Sequence, residues 1–170
     1  MKLKYTFLLI VCISLISCGT VPKSRGHFIE LVKEETGFGP FKRMAFSKRV
    51  SRPFDQVFNN IKDKLEGCIP GGYQTMSMRG SSMSSLSVTN NNRIEKVSKN
   101  KAEITMQQKH SSTAMQSTGG FYLLAADIHR IDSKSVRIDF FTGKHYLSIA
   151  EAIEQWAKGS NKCHGIGGNP

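Results

Sequence analysis

The sequence predicts an α+β domain. It would be a curved antiparallel sheet with one helix after the first strand and a C-terminal helix packed on the sheet. Three observations carry that reading. Phe54, Val57, Phe58, Ile61 and Leu65 recur at spacings of three and four, the apolar stripe of a helix half-buried on a core. Several segments alternate apolar and polar residues with period two, as strands with one covered face do. Ile149, Ala152, Ile153 and Trp156 then share one face of a last helix.

In chain order, residues 41–50 alternate in part, with Met44, Phe46 and Val50 on one parity and Arg43, Ala45, Ser47 and Arg49 on the other. This predicts the first strand. In "VSRPFDQVF", Ser51 is the expected N-cap, Pro53 suits the first turn and Asp55 complements the helix dipole. Gly67 is the expected stop. Residues 73–88 are poor in charge and rich in Ser and Met, with strands expected near 73–78 and 84–88. "TNNNR" (89–93) reads as a turn. Residues 94–97 are expected to pair with 101–109, where Ala102, Ile104 and Met106 alternate with Glu103, Thr105 and Gln107. "HSSTAMQSTGG" is a polar loop. Residues 121–132 are apolar on both parities, which predicts a central strand. A turn at Asp132-Ser133-Lys134 leads into 135–142, where Val136, Ile138 and Phe140 oppose Arg137 and Asp139. Ser148 and Glu151 have capping-box spacing at the start of the last helix, which Gly159 ends. There are no internal repeats.

The front of the chain is different in kind. Lys2 and Lys4 precede an uncharged, mostly apolar run from 5 to 16, the anatomy of a secretory signal. The run is too short for a permanent span, which needs about 20 apolar residues. It closes on "LISC", residues 15–18, which resembles a bacterial lipobox. The resemblance implies that the signal 1–17 is removed and that Cys18 becomes an acylated first residue. Stable anchoring takes more than one acyl chain, and a lipobox cysteine carries several. Gly19, where an aspartate would resemble an inner-membrane retention signal, implies the outer membrane and its periplasmic face in a Gram-negative cell. Residues 18–40 are then the lipidated N-terminus and a flexible tether rich in breakers. Within it "HFIELVKEE" has Phe28, Leu31 and Val32 on one side, enough for two helical turns that would be marginal alone. Residues 41–163 form the single domain and 164–170 a frayed tail.

The chain of 170 residues carries 24 Lys and Arg against 13 Asp and Glu, a formal charge of +11, of which Lys2 and Lys4 belong to the leader. A basic anchored protein is drawn to anionic lipid headgroups or other envelope polyanions, though charge of this kind also simply keeps a small secreted domain in solution. Nucleic acid is not expected as a partner, because no RNP-like or zinc-finger pattern is present. Of four cysteines, Cys12 leaves with the signal and Cys18 takes lipid. Cys68 and Cys163 remain, and in an oxidising compartment they read as one disulfide. A redox or metal pair is the alternative, but there is no C-x-x-C.

A C-terminal helix packed across a curved sheet resembles the helix-grip architecture of START-type lipid carriers and of lipoproteins in outer-membrane assembly machinery. Cys18, "VSRPFDQVF", Cys68 and "WAKGSNKC" (156–163) also resemble small bacterial envelope lipoproteins. That resemblance covers most of the mature chain and implies no activity, and a fold analogy supplies none either.

Candidate sites are few. His27, His110, His129, His145 and His164 include no pair at metal-ligand spacing, so no metal or cofactor is expected. There is no G-x-S-x-G, no H-E-x-x-H and no phosphate-binding glycine loop, so no catalytic residues are expected. Asp127, within "LLAADIH", is the acid most open to burial, with solvent, Arg130 or Arg137 as its expected partners. Asp132 and Asp139 lie on or beside the same strands. The expected function is a non-enzymatic envelope module that contacts envelope proteins or anionic envelope polymers. The alternative is binding of a lipid-like molecule in a pocket walled by Trp156, Phe58 and Met106, with Met76, Met78 and Met83 as further apolar surface.

Overall fold

The computed structural model describes residues 21–34, 42–79, 82–111 and 116–163, with backbone alone at 77–79 and 82–84. The signal sequence, Cys18, Gly19, His164 and the tail 164–170 lie outside the described residues, as do residues 112–115 of the polar loop. The elements are α1 (Arg25–Lys33), β1 (Arg43–Val50), α2 (Phe54–Cys68), β2 (Gly72–Arg79), β3 (Ser82–Ser98), β4 (Lys101–His110), β5 (Phe121–Arg130), β6 (Val136–Gly143) and α3 (Leu147–Ala157). Lys144–Tyr146 form one 3-10 turn before α3.

Six strands make one antiparallel sheet in the order β1-β6-β5-β4-β3-β2. This is the α+β, helix-grip-like arrangement that the sequence predicts, with α2 following the first strand and α3 closing the chain on the sheet. The main core lies under α2 and α3. Phe54, Val57, Ile61 and Leu65 of α2 and Ala150, Ala152, Ile153, Trp156 and Ala157 of α3 meet Ile104, Met106, Leu124, Ile128, Ile138 and Phe140 of the sheet. Each large apolar side chain so buried contributes about 1.5–3 kcal/mol.

The other face of the sheet is covered too, and this corrects the expected tether. Residues 25–33 are not a flexible lead but a helix laid against the sheet. Phe28 and Val32 bury against Ala125 and Phe141, and Phe28 stacks on Tyr122 with ring centroids 5.0 Å apart. Ser24 accepts from the His27 N–H and caps the helix. A bulge makes this second core possible. Met106 pairs with Leu124 but Gln107 pairs with Tyr122, so Leu123 is the extra residue. Leu123 and Leu124 both enter the main core, and Tyr122 is turned to the α1 side.

Other local expectations are also corrected. "TNNNR" is no turn: β3 runs straight through it, with Asn91 opposite Gln107 and Asn92 opposite Met106. Asn90 explains part of this, since its Nδ2 donates to the Pro70 carbonyl (2.8 Å) and its Oδ1 accepts from Gln108 (3.0 Å). Turn-forming side chains thus find fixed partners inside a ladder. Ser51 is not the cap of α2. The helix starts after Pro53, whose carbonyl accepts from Val57 N–H, and no side chain caps it. The Ser148–Glu151 box is unused because the 3-10 turn feeds directly into α3 and places Ser148 inside the helix. Gly159 does end α3, at φ +91°.

Candidate functional site

The last turn of α2 and the middle of β3 form the two walls of an open groove of about 390 Å³. Leu65, Ile69 and Ile94 are its apolar lining, and Lys62, Glu66, Asn90, Asn92 and Arg93 supply polar groups. The chain is pinned at both ends of this region. Asn90 N–H donates to the Gly71 carbonyl and its side chain to that of Pro70, which fixes the turn from α2 into β2. One residue before Ile69, Cys68 is bonded to Cys163 with Cα atoms 5.2 Å apart. This is the pairing expected from the sequence. The segment after α3 is carried to it by two side chains. Trp156 Nε1–H donates to the Lys162 carbonyl (2.8 Å), and Lys64 Nζ to that of Asn161 (3.0 Å).

Trp156, Met106 and Phe58 belong to one core cluster, the first two buried and Phe58 partly so. Trp156 is 0 % exposed and Met106 1 %, so the core encloses both side chains. Phe58 lies under the Lys96 ammonium, 4.8 Å from the ring centroid. Met76 is not core at all: it is 68 % exposed on β2. The side chains of Met78 and Met83 lie outside the described residues.

Asp127 has a role that the sequence leaves hidden. Glu103, Asp127 and Asp139 are direct neighbours across β4, β5 and β6, and Lys101, His129 and Arg137 form the next rung. Three adjacent carboxylates repel, and Arg25, Lys101 and Arg137 answer them. Arg25, from α1, reaches over the sheet to Asp127 (2.6 Å) and Glu103 (3.3 Å), and also donates to the Ala126 carbonyl. Lys101 pairs with Glu103 (2.6 Å) and Asp127 (3.6 Å), and the hydrogen bond to Glu103 raises its pKa. Asp139 accepts from Ser47 and is paired with Arg137 and His129. Arg130, an expected partner of Asp127, instead pairs with Asp55 and lies over Phe54. The ladder therefore staples α1 to the sheet. No sequence signal links Arg25 to acids a hundred residues away.

The groove lining holds one carboxylate, Glu66, and no serine, cysteine or histidine, so it offers no nucleophile–base pair. Among the described residues no cluster of His, Cys, Asp or Glu is arranged to hold a metal ion. Among them, too, no helix is long and apolar enough to cross a membrane.

Fold and site together define a helix-grip-like α+β domain with an open, mixed-polarity groove. The sequence matches no family model and no curated protein. Among solved structures it is similar to a hypothetical protein from Helicobacter pylori, at 12 % identity and a TM-score of 0.34, covering 74 % of this chain and 88 % of that one. It is also similar to norcoclaurine synthase from Thalictrum flavum, at 11 % identity and TM-score 0.29, covering 69 % and 84 %. A third is the Zhui aromatase/cyclase from Streptomyces sp. R1128, at 8 % identity and TM-score 0.25, covering 59 % and 65 %. At such distances nothing about this chain's activity follows from them.

Proposed function

We propose that the protein is an outer-membrane lipoprotein, acylated at Cys18, whose periplasmic domain is a non-enzymatic module that meets another envelope component at the α2–β3 groove. The observation that supports this reading best is the contrast between groove and core. The groove is open, has an apolar lining under polar groups and stands on a disulfide-pinned corner, whereas Trp156 is enclosed in the core. Rigid walls lower the ordering cost of association. A photo-reactive residue at Lys62 or Asn92 is expected to capture one reproducible envelope partner in cells, and one at Lys134, on the distant β5–β6 turn, is not. Equal labelling from all three positions would remove this reading.

The alternative, binding of a lipid-like molecule, draws support from the groove's volume, which lies in the range of small-molecule sites, and from Leu65, Ile69 and Ile94. Native mass spectrometry of the periplasmic protein separates the two: a retained apolar ligand, lost on Ile94→Asp, favours the carrier.

A further inference from the structure

The chain enters the domain at one end of the sheet. Ser117 Oγ, in the β4–β5 connection, donates to the carbonyl of Pro22. Arg25 and α1 then lock the entry segment on the outer face. Only three residues, 19–21, separate Pro22 from Cys18. Four chain steps span at most about 14 Å, since an extended residue covers about 3.5 Å. A lipid-bearing Cys18 would therefore hold the β4–β5 end of the sheet close to the bilayer instead of leaving the domain to swing on a long lead.

The same end carries a projecting arm. β4 stops at His110, opposite Val88, while β2 and β3 pair onward from Gly72–Thr89 to Arg79–Ser82. Six further residues of each strand, 74–79 and 82–87, extend roughly 20 Å. Met76, on this arm, is 68 % exposed, and Tyr73, opposite Val88 at its root and on the other face of the ribbon, is 47 % exposed. Tyr and Met are amphipathic or soft side chains suited to the headgroup boundary.

Charge sorts along the same axis. There is no Asp or Glu between Glu66 and Glu95, none between Glu103 and Asp127, and none between Asp139 and Glu151. Those stretches build the anchor end. Glu30 and Glu34, on the last turn and at the C-cap of α1 near the start of β1, are the exceptions among the described residues. Lys23, Lys42, Lys109 and Lys144 are exposed there, with no carboxylate partner among the described residues. At the opposite end Asp55 holds Lys96 and Arg130, Asp132 faces Arg49, and Glu154 holds Lys48 and Lys158, though Lys99 and Lys134 have no carboxylate partner among the described residues.

We propose that this end is a second, protein-borne membrane contact: the β2–β3 arm lies in the interface of an anionic phospholipid surface through Tyr73 and Met76, and Lys23, Lys42, Lys109 and Lys144 face its headgroups. The orientation rests on the reading of Cys18 as acylated; the lysines and the arm supply the contact itself. Exposed lysines beside an anionic leaflet attract it electrostatically and so orient the domain on a surface to which the lipid holds it.

The test uses the full chain made in a bacterial envelope and reconstituted in phosphatidylcholine vesicles with or without phosphatidylglycerol. An environment-sensitive dye is attached at Met76→Cys or, as control, at Val97→Cys, which is exposed near the far end. Lipid-borne nitroxide is expected to quench Met76→Cys several-fold more than Val97→Cys, and more strongly with phosphatidylglycerol. Equal quenching at the two positions overturns the proposal. So does protection of Met76→Cys by a β2-edge dimer, seen as cross-linking between two copies without lipid quenching. Intact mass reports acylation independently. If Cys18 is bare, sedimentation of the same chain with phosphatidylglycerol vesicles decides: binding weakened about tenfold by Lys109→Glu with Lys144→Glu supports the contact, and no binding removes it.

Discussion

Arg25 shows how one side chain can decide the state of a whole segment. Its guanidinium answers Asp127 and Glu103 from a site only 17 % exposed, and its buried Nε has no hydrogen-bond partner among the described residues. Removing it leaves Asp127 and Glu103 facing each other across adjacent strands with Lys101 as their remaining cation. Arg25→Met is expected to cost about 2–3 kcal/mol in chemical denaturation, the scale for breaking one side of a buried pair, with Arg25→Lys recovering part. Asp55 is the exposed counterpart. Hydrogen bonds from Lys96 and Arg130 hold its carboxyl below the ordinary 3.8. A depressed folded-state pKa contributes stability above the unfolded value and loses it as pH falls through the folded one. Acid unfolding of Asp55→Asn, followed by circular dichroism, should therefore be less steep below about pH 4 than that of the parent chain. Asp132 acts in the same direction, through hydrogen bonds from the Ser135 hydroxyl and the Lys134 N–H. Gly120 is a residue with no substitute: at φ +109°, a Cβ would lie 2.4 Å from the Gln108 carbonyl oxygen.

At the scale of elements, the disulfide joins the end of α2 to the segment after α3 and encloses nearly the whole sheet, its two cysteines 95 positions apart. Chain-entropy arguments give about 4.7 kcal/mol for a loop of that length. Cys68→Ser with Cys163→Ser is expected to lower the denaturant midpoint accordingly without changing the strand content seen by circular dichroism. Phe28 and Val32 make α1 the other decisive element. A nine-residue helix is marginal in water, and it persists here because the bulge at Leu123 turns Tyr122 toward it beside Ala125 and Phe141.

For the whole molecule, the two faces of the sheet do different work. The α2–α3 face carries the main core and the groove, and the α1 face takes the chain in from its N-terminus. If the anchor is as proposed, Cys18→Ala should move the protein from the membrane to the soluble fraction on cell fractionation, with folding unchanged, because residue 18 precedes every described element. Retention of Cys18→Ala on washed membranes at high salt would argue against a lipid anchor.

The sequence by itself determined the parts governed by local periodicity and compartment: the α2 and α3 stripes, the alternating strands β4 and β6, the stop at Gly159, and the Cys68–Cys163 pair. Each follows from residues a few positions apart, or from there being one plausible partner. Only the tertiary structure decided the rest. The docking of α1 depends on apolar residues about a hundred positions away. The continuation of β3 through Asn90, Asn91 and Asn92 depends on bonds to Pro70 and Gln108. The pairing of Asp127 with Arg25 depends on a helix that would not be stable without the sheet beneath it. The groove depends on a helix end and a mid-strand brought together by the fold. Those contacts have no local period to read, and their free energies outweigh the turn, cap and tether preferences that the local sequence expresses.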